Sequence, residues 1–133
     1  MSKQYTLGKK ERLKSRKLID QLFSQGKSFS IAPFRVFYLQ AGPLPLLQAG
    51  FGLTGRNFKR AVDRNRVKRL TREAYRLQKQ TLQDRVLKNN RPLAVFFIYT
   101  GKELPAYPVL YEKMGLILQR LIKLANEDSA AHP

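Results

Sequence analysis

The run Leu93-Ala94-Val95-Phe96-Phe97-Ile98-Tyr99 narrows the possible folds more than any other feature of this 133-residue chain, because it has almost no polar side to turn toward water. An apolar stretch of strand length and β-forming composition reads as a strand covered on both faces and placed centrally in a sheet. Three further runs supply its neighbours. Ser28 to Ile31 is a short strand candidate, and after the interruption at Pro33 the segment Phe34 to Gln40 is rich in aromatic and β-branched residues. Gly42-Pro43-Leu44-Pro45 is turn chemistry, and Leu46 to Leu53 resumes as an apolar segment with Gly50 and Gly52 inside it. The spacing predicts Phe34–Gln40 and Leu46–Leu53 as adjacent antiparallel strands joined by a hairpin-like loop.

Helical periodicity fills the gaps between these runs. Ser15 is placed as an N-cap, Leu18, Ile19, Leu22 and Phe23 recur at helical spacing, and Gly26 offers a left-handed stop. Thr54 to about Arg60 is a basic loop. A long helix follows with Val67, Leu70, Ala74 and Leu77 on one face, reaching about residue 88 before Asn89-Asn90-Arg91-Pro92 ends it. Pro108 opens a third helix whose stripe is Leu110, Met114, Ile117, Leu121 and Leu124. The order is therefore α-β-β-β-α-β-α. A chain of this length holds one core, so residues 1–133 read as a single domain. Residues 1–14 are polar and basic and read as a mobile arm, and Asn126 to Pro133 reads as a frayed tail.

Charge sets the class of partner. The chain carries 26 Lys and Arg against 9 Asp and Glu, a net +17 that repels itself in a compact state. A polyanion relieves that repulsion, and nucleic acid or an anionic membrane surface would both serve. No apolar run approaches the roughly 18 residues needed to span a bilayer, and Met1-Ser2-Lys3-Gln4-Tyr5 lacks the apolar stretch of a secretion signal, so the expectation is a cytoplasmic protein with no membrane partner. With no cysteine there is no disulfide framework or thiolate metal site. The single histidine, His132, is penultimate and is a poor ligand or general base.

Residues 56–76 hold nine basic and two acidic side chains, and residues 1–17 hold seven basic and one acidic, so these segments carry +13 of the +17. At roughly 100° per residue, Lys68, Arg69, Arg72 and Arg76 fall opposite the Val67-Leu70-Ala74-Leu77 stripe. Burying the stripe turns the cations outward. Arginine suits an RNA surface because its planar fork donates two hydrogen bonds to a phosphate and stacks on exposed bases. Only Asp63 and Glu73 lie within the segment as neutralising partners, so nucleic acid is favoured over a merely solvated basic face.

The stretch Ala61-Val62-Asp63-Arg64-Asn65-Arg66-Val67-Lys68-Arg69-Leu70-Thr71-Arg72-Glu73-Ala74-Tyr75-Arg76 resembles the signature helix of the bacterial ribonuclease P protein family, with its Arg-Asn-Arg centre. Arg12-Leu13 through Phe23 and Gly26 resembles that family's first helix, Phe34 to Leu39 its first long strand, and Gly50 to Thr54 the strand before the motif. The similarity spans about residues 11–125. One departure is Thr54-Gly55-Arg56, where the family often has Ser-Lys-Lys or Ser-Lys-Arg, so one cation is missing.

The resemblance implies a two-layer α/β (α+β) sandwich, a mixed sheet of about four strands with three helices, in which a left-handed crossover joins parallel strands. It implies that Arg64, Asn65, Arg66, Lys68, Arg69 and Arg72 dock on the catalytic RNA of ribonuclease P, with Arg56, Lys59, Arg60 and Arg76 beside them. It implies a cleft between the first helix and the sheet for the single-stranded 5′ leader of precursor tRNA, matched here by Ile19, Phe23, Phe34, Val36 and Phe37. Aromatic rings suit a leader of variable sequence, since each stacked base contributes roughly 1–3 kcal/mol whatever its identity. No protein side chain is assigned a catalytic or metal-binding role, and Mg²⁺ is expected to be held mainly by the RNA subunit. Rival expectations are a ribosomal or RNA-chaperone protein, a membrane-surface binder using Lys3 to Lys17, and a metal-independent ribonuclease.

Overall fold

A computed structural model describes residues 8–130; residues 1–7 of the expected arm, and 131–133 of the expected tail with His132, lie outside it. Four strands, β1 (Lys27–Ile31), β2 (Phe34–Leu39), β3 (Leu47–Leu53) and β4 (Leu93–Tyr99), form one sheet in the order β1-β2-β4-β3. The helices are α1 (Arg16–Gln25), α2 (Ala61–Gln78), α3 (Gln80–Asn89) and α4 (Tyr107–Ala130), with short 3₁₀ turns at Lys9–Glu11 and Gly55–Asn57.

β4 occupies the interior position that its composition demands. It runs antiparallel to β2, with Phe34 opposite Tyr99 and Leu39 opposite Ala94, and parallel to β3, with Leu47 beside Leu93 and Leu53 beside Tyr99. The expected pairing of β2 with β3 is therefore corrected: β4 lies between them. Pairing both edges and covering both faces of the most apolar strand removes more apolar area from water than a β2–β3 hairpin would. The turn at Gly42–Pro45 accordingly leads past the start of β4, where Leu46 O accepts from Leu93 N at 3.1 Å. Because β3 and β4 are parallel, the chain must cross over between them, and α2 with α3 makes that crossing.

The two faces of the sheet are covered unequally. On one face Phe34, Val36, Val95 and Phe97 pack with Val67, Ala74 and Tyr75 of α2, Leu82 and Val86 of α3, and Leu110, Met114, Ile117 and Leu121 of α4. On the other face a smaller cluster joins Leu18 and Leu22 of α1 to Leu13 and Ala94, with Ile19, Phe37, Leu39 and Phe96 partly buried around it. On the first face Gly115 of α4 faces the Gln78 side chain of α2, where an added Cβ would stand 2.9 Å from Oε1, the end of a flexible side chain that can shift.

Several local expectations change. The helix expected over 61–88 is interrupted at Lys79, whose ψ of −17° tightens the turn between α2 and α3. Lys79 is 1% exposed, and its ammonium is paired with the Glu11 carboxylate. The buried face of α2 is Val67, Thr71, Ala74 and Tyr75, while Leu77, expected in the stripe, is 36% exposed. Gly26 ends α1 at φ −73°, not in the left-handed region; glycine is needed there because a Cβ would stand 2.3 Å from Leu22 O. Ser15 caps α1 as expected, its Oγ accepting from Leu18 N at 3.2 Å. Residues 8–14, expected to belong to a mobile arm, are docked: Leu13 is buried and its N–H donates to Ala49 O at 3.0 Å. α4 continues past Asn126 to Ala130, a stretch with no glycine or proline to stop it.

Tyr75 is fully buried, its ring 5.4 Å from both Phe51 and Phe97, and its hydroxyl has no hydrogen-bond partner among the described residues. Burial, reinforced by the Glu11 carboxylate, raises the hydroxyl pKa far above its ordinary 10. Above about pH 10 the unfolded phenol releases its proton while the folded one keeps it, so this stability is present below that pH and lost above it. Tyr99 and Tyr107 are shifted the same way, chiefly by burial. Tyr75→Phe is expected to keep or raise stability at neutral pH by about 1 kcal/mol, since it deletes an unpaired polar atom. Urea unfolding across pH 8 to about 11 should show a shallower alkaline loss in the variant than in the parent.

Candidate nucleic-acid interface

The loop leading into α2 is pinned before the helix begins. Asn57 Nδ2 donates to the carbonyls of Thr100 at 3.2 Å and Gly101 at 3.3 Å, tying the loop to the end of β4. Arg64 Nη1 donates back to Phe58 O at 2.8 Å and Lys59 O at 2.9 Å. Gly55 has open space where a Cβ would sit, so the missing family lysine is not excluded by crowding. The α2 N-terminus begins at Arg60 with no side-chain cap, which leaves first-turn N–H groups and their partial positive charge available.

The ten expected docking residues divide into three groups. Arg56, Lys59, Arg60, Asn65, Arg66, Arg69 and Arg72 are exposed, Lys68 is half-buried, and none of these cations forms an ion pair with a described residue. Arg64 is half-buried and engaged with loop carbonyls, so it acts first as a brace. Arg76 is held by Glu73, with Nη2 to Oε1 at 2.5 Å and Nε to Oε2 at 3.2 Å. Those hydrogen bonds hold the Glu73 carboxyl below its ordinary range and lift Arg76 in turn. Val62, Asn65, Arg66 and Arg69 line a shallow open groove of about 470 Å³, with Val62 58% exposed. An amide, two guanidiniums and an apolar side chain at helical spacing suit a phosphate backbone with its sugars and bases.

The expected leader cleft is only partly assembled. Phe23, 42% exposed, meets Phe37 edge-on at 4.9 Å, and Ile19 is half-buried beside them on the α1 face of the sheet. Phe34 and Val36 are corrected: strand alternation turns them to the opposite face, where both are buried in the main core. Sequence reasoning missed Phe96, which lies 5.2 Å from Phe23. A Cβ on Gly50 would stand 2.6 Å from the Phe96 ring and one on Gly52 3.0 Å from it, so the two glycines of β3 make room for that ring. Glycines inside a strand were the available signal. Arg35 is placed over Phe37 at 5.1 Å, adding a cation to the aromatic cluster. Among the described residues no helix is long and apolar enough to cross a membrane.

Fold and site together define a class, small α+β proteins that seat one face of a basic helix on a sheet and leave its other face as an unneutralised ridge. The family model for ribonuclease P matches residues 7–121. The ribonuclease P protein component of Porphyromonas gingivalis is 35% identical over 119 residues, covering 88% of this chain and 87% of that protein. That of Chlorobium phaeobacteroides is 32% identical, covering 87% and 88%. The ribonuclease P protein of Thermotoga maritima has a similar fold, with a TM-score of 0.66 at 24% identity over 83% of this chain and 96% of that one. The Staphylococcus aureus protein follows at 0.56 and 19%, over 86% and 94%. The chain belongs to the ribonuclease P protein family, and the family places it in that ribonucleoprotein and in tRNA processing.

Arg64→Ala is expected to lower folding stability by about 1 kcal/mol through loss of its two charge-assisted bonds. Arg66→Ala and Arg69→Ala should stay within about 0.5 kcal/mol of the parent. Thermal unfolding of the three variants distinguishes a brace from a ridge residue, and equal losses would contradict the division.

Proposed function

We propose that this chain is the subunit that binds the catalytic RNA of ribonuclease P through the outer face of α2 and receives the 5′ leader of precursor tRNA beside α1. It thereby assists Mg²⁺-dependent removal of the leader to give the mature 5′ end. The observation that carries this reading is the row of exposed cations, Arg56, Arg60, Arg66, Arg69 and Arg72, left without carboxylate partners among the described residues. Cations arranged in this way neutralise phosphates and release counterions, an effect that sets affinity and register without choosing a sequence. The Phe23, Phe37 and Phe96 rings support the second contact, because stacking accepts any base.

The protein's part is binding and placement. Mg²⁺ is assigned to the RNA, where it would supply the activation of water. Two nearby carboxylates are already occupied, Glu73 by Arg76 and Glu11 by Lys79.

Reconstitution tests the reading directly. Adding the full chain to the catalytic RNA should raise leader cleavage at low Mg²⁺, and no change would favour a ribosomal or chaperone role. Arg66→Ala with Arg69→Ala should weaken binding of the catalytic RNA and reduce its salt slope by about 1 for each phosphate left unneutralised. Phe23→Ala should lower holoenzyme affinity for precursor tRNA by up to about tenfold while sparing mature tRNA, as removal of one stacked base predicts.

A further inference from the structure

Residues 8–14 form a strap along the open edge of β3. Leu13 N–H donates to Ala49 O at 3.0 Å, Arg12 bridges to Ala49 in parallel register, and Gln48 Nε2 donates to Lys10 O at 3.0 Å. Glu11 fastens the strap from two sides: its Oε2 accepts from Gly8 N at 3.0 Å, and its Oε1 pairs with buried Lys79 at the α2–α3 junction. Burying the Lys79 ammonium is costly without a countercharge, so lifting the strap away would break a buried ion pair.

Where the strap, β3 and α2 meet there is an open groove of about 250 Å³, lined by Arg12, Leu13, Lys14, Gly50 and Arg72 among others. Lys14 and Arg72 are exposed and take part in no ion pair with a described residue. The groove touches both surfaces already described, since Arg72 belongs to the α2 ridge and Gly50 is the floor under the Phe96 ring. The geometry points to a phosphate seat in this groove, in which Lys14 and Arg72 grip the backbone of a single RNA strand passing between the ridge and the aromatic cluster. The Lys79–Glu11 pair acts as the positioning element that holds the Lys14 side of the seat in place. This inference rests on the RNA-binding reading above and extends it to residues outside the signature helix.

Full-length variants in the reconstituted holoenzyme test it. Lys14→Gln, at an exposed position, should weaken RNA binding about threefold to tenfold and reduce the salt slope by about 0.7, the value for one single-strand phosphate. Glu11→Gln should produce a similar loss together with faster hydrogen exchange at the Leu13 amide, and Lys14→Gln should add little in that background. A loss confined to precursor tRNA assigns the phosphate to the leader, and an equal loss with mature tRNA assigns it to the catalytic RNA. Unchanged affinity and slope in Lys14→Gln would overturn the seat, and unchanged Leu13 exchange in Glu11→Gln would overturn the positioning role. If Arg66→Ala with Arg69→Ala also binds RNA as the parent does, the RNA-binding reading itself fails.

Discussion

Tyr75 meets Phe51 and Phe97 at 5.4 Å each, and those two rings stack on one another at 5.5 Å and 14°. This three-ring contact seats α2 on the parallel β3–β4 pair, and the exposed cations depend on it. Residues 56–76 carry a net charge of +7 that repels itself, relieved within the segment by the Glu73–Arg76 pair and by the Arg64 bonds to the Phe58 and Lys59 carbonyls. An aromatic contact contributes about 0.5–1.5 kcal/mol beyond burial and is insensitive to salt. The helix is thus anchored by apolar contact, leaving its charges available for a partner. Pairing the arginines internally would have neutralised the surface they form.

The sheet is finished on one face and half-finished on the other. α2, α3 and α4 cover Phe34, Val36, Val95 and Phe97 completely. α1 is the one long helix on this face, and Leu18 and Leu22 are its only buried side chains. Phe37 and Phe96 therefore keep part of their rings in solvent next to Phe23. Exposed aromatic clusters rimmed by charge, here Arg35, are characteristic of binding surfaces.

Periodicity made the helices legible, and composition with turn residues made the strands legible, β4 by its unbroken apolar run. Strand pairing was not legible in the same way: β2 and β3 both look like hairpin partners until β4, far away in sequence, displaces one from the other. The faces of β2 follow from alternation alone, so Phe34 and Val36 could have been separated from Phe37 once a direction for the sheet was chosen. Sequence carried no statement of that direction. The ridge was legible as a charge density, but the split between Arg66, which faces solvent, and Arg64, which reaches Phe58 and Lys59, depends on a loop conformation that spacing does not encode. The Lys79–Glu11 pair joins positions 68 residues apart, a pairing no local pattern reports.

That long-range pair also separates two uses of charge in one basic protein. Lys79 and Arg76 take carboxylate partners and serve the fold, whereas Arg66, Arg69 and Arg72 take none among the described residues. A paired charge at low exposure is little affected by added salt, while an exposed cluster facing a polyanion is strongly affected. Folding and the proposed association with RNA therefore respond to ionic strength in opposite senses: salt relieves self-repulsion in the free chain and weakens binding to a polyanion. A basic subunit built this way is most strained when alone and gains most from its partner at low salt, where the unneutralised ridge repels itself hardest.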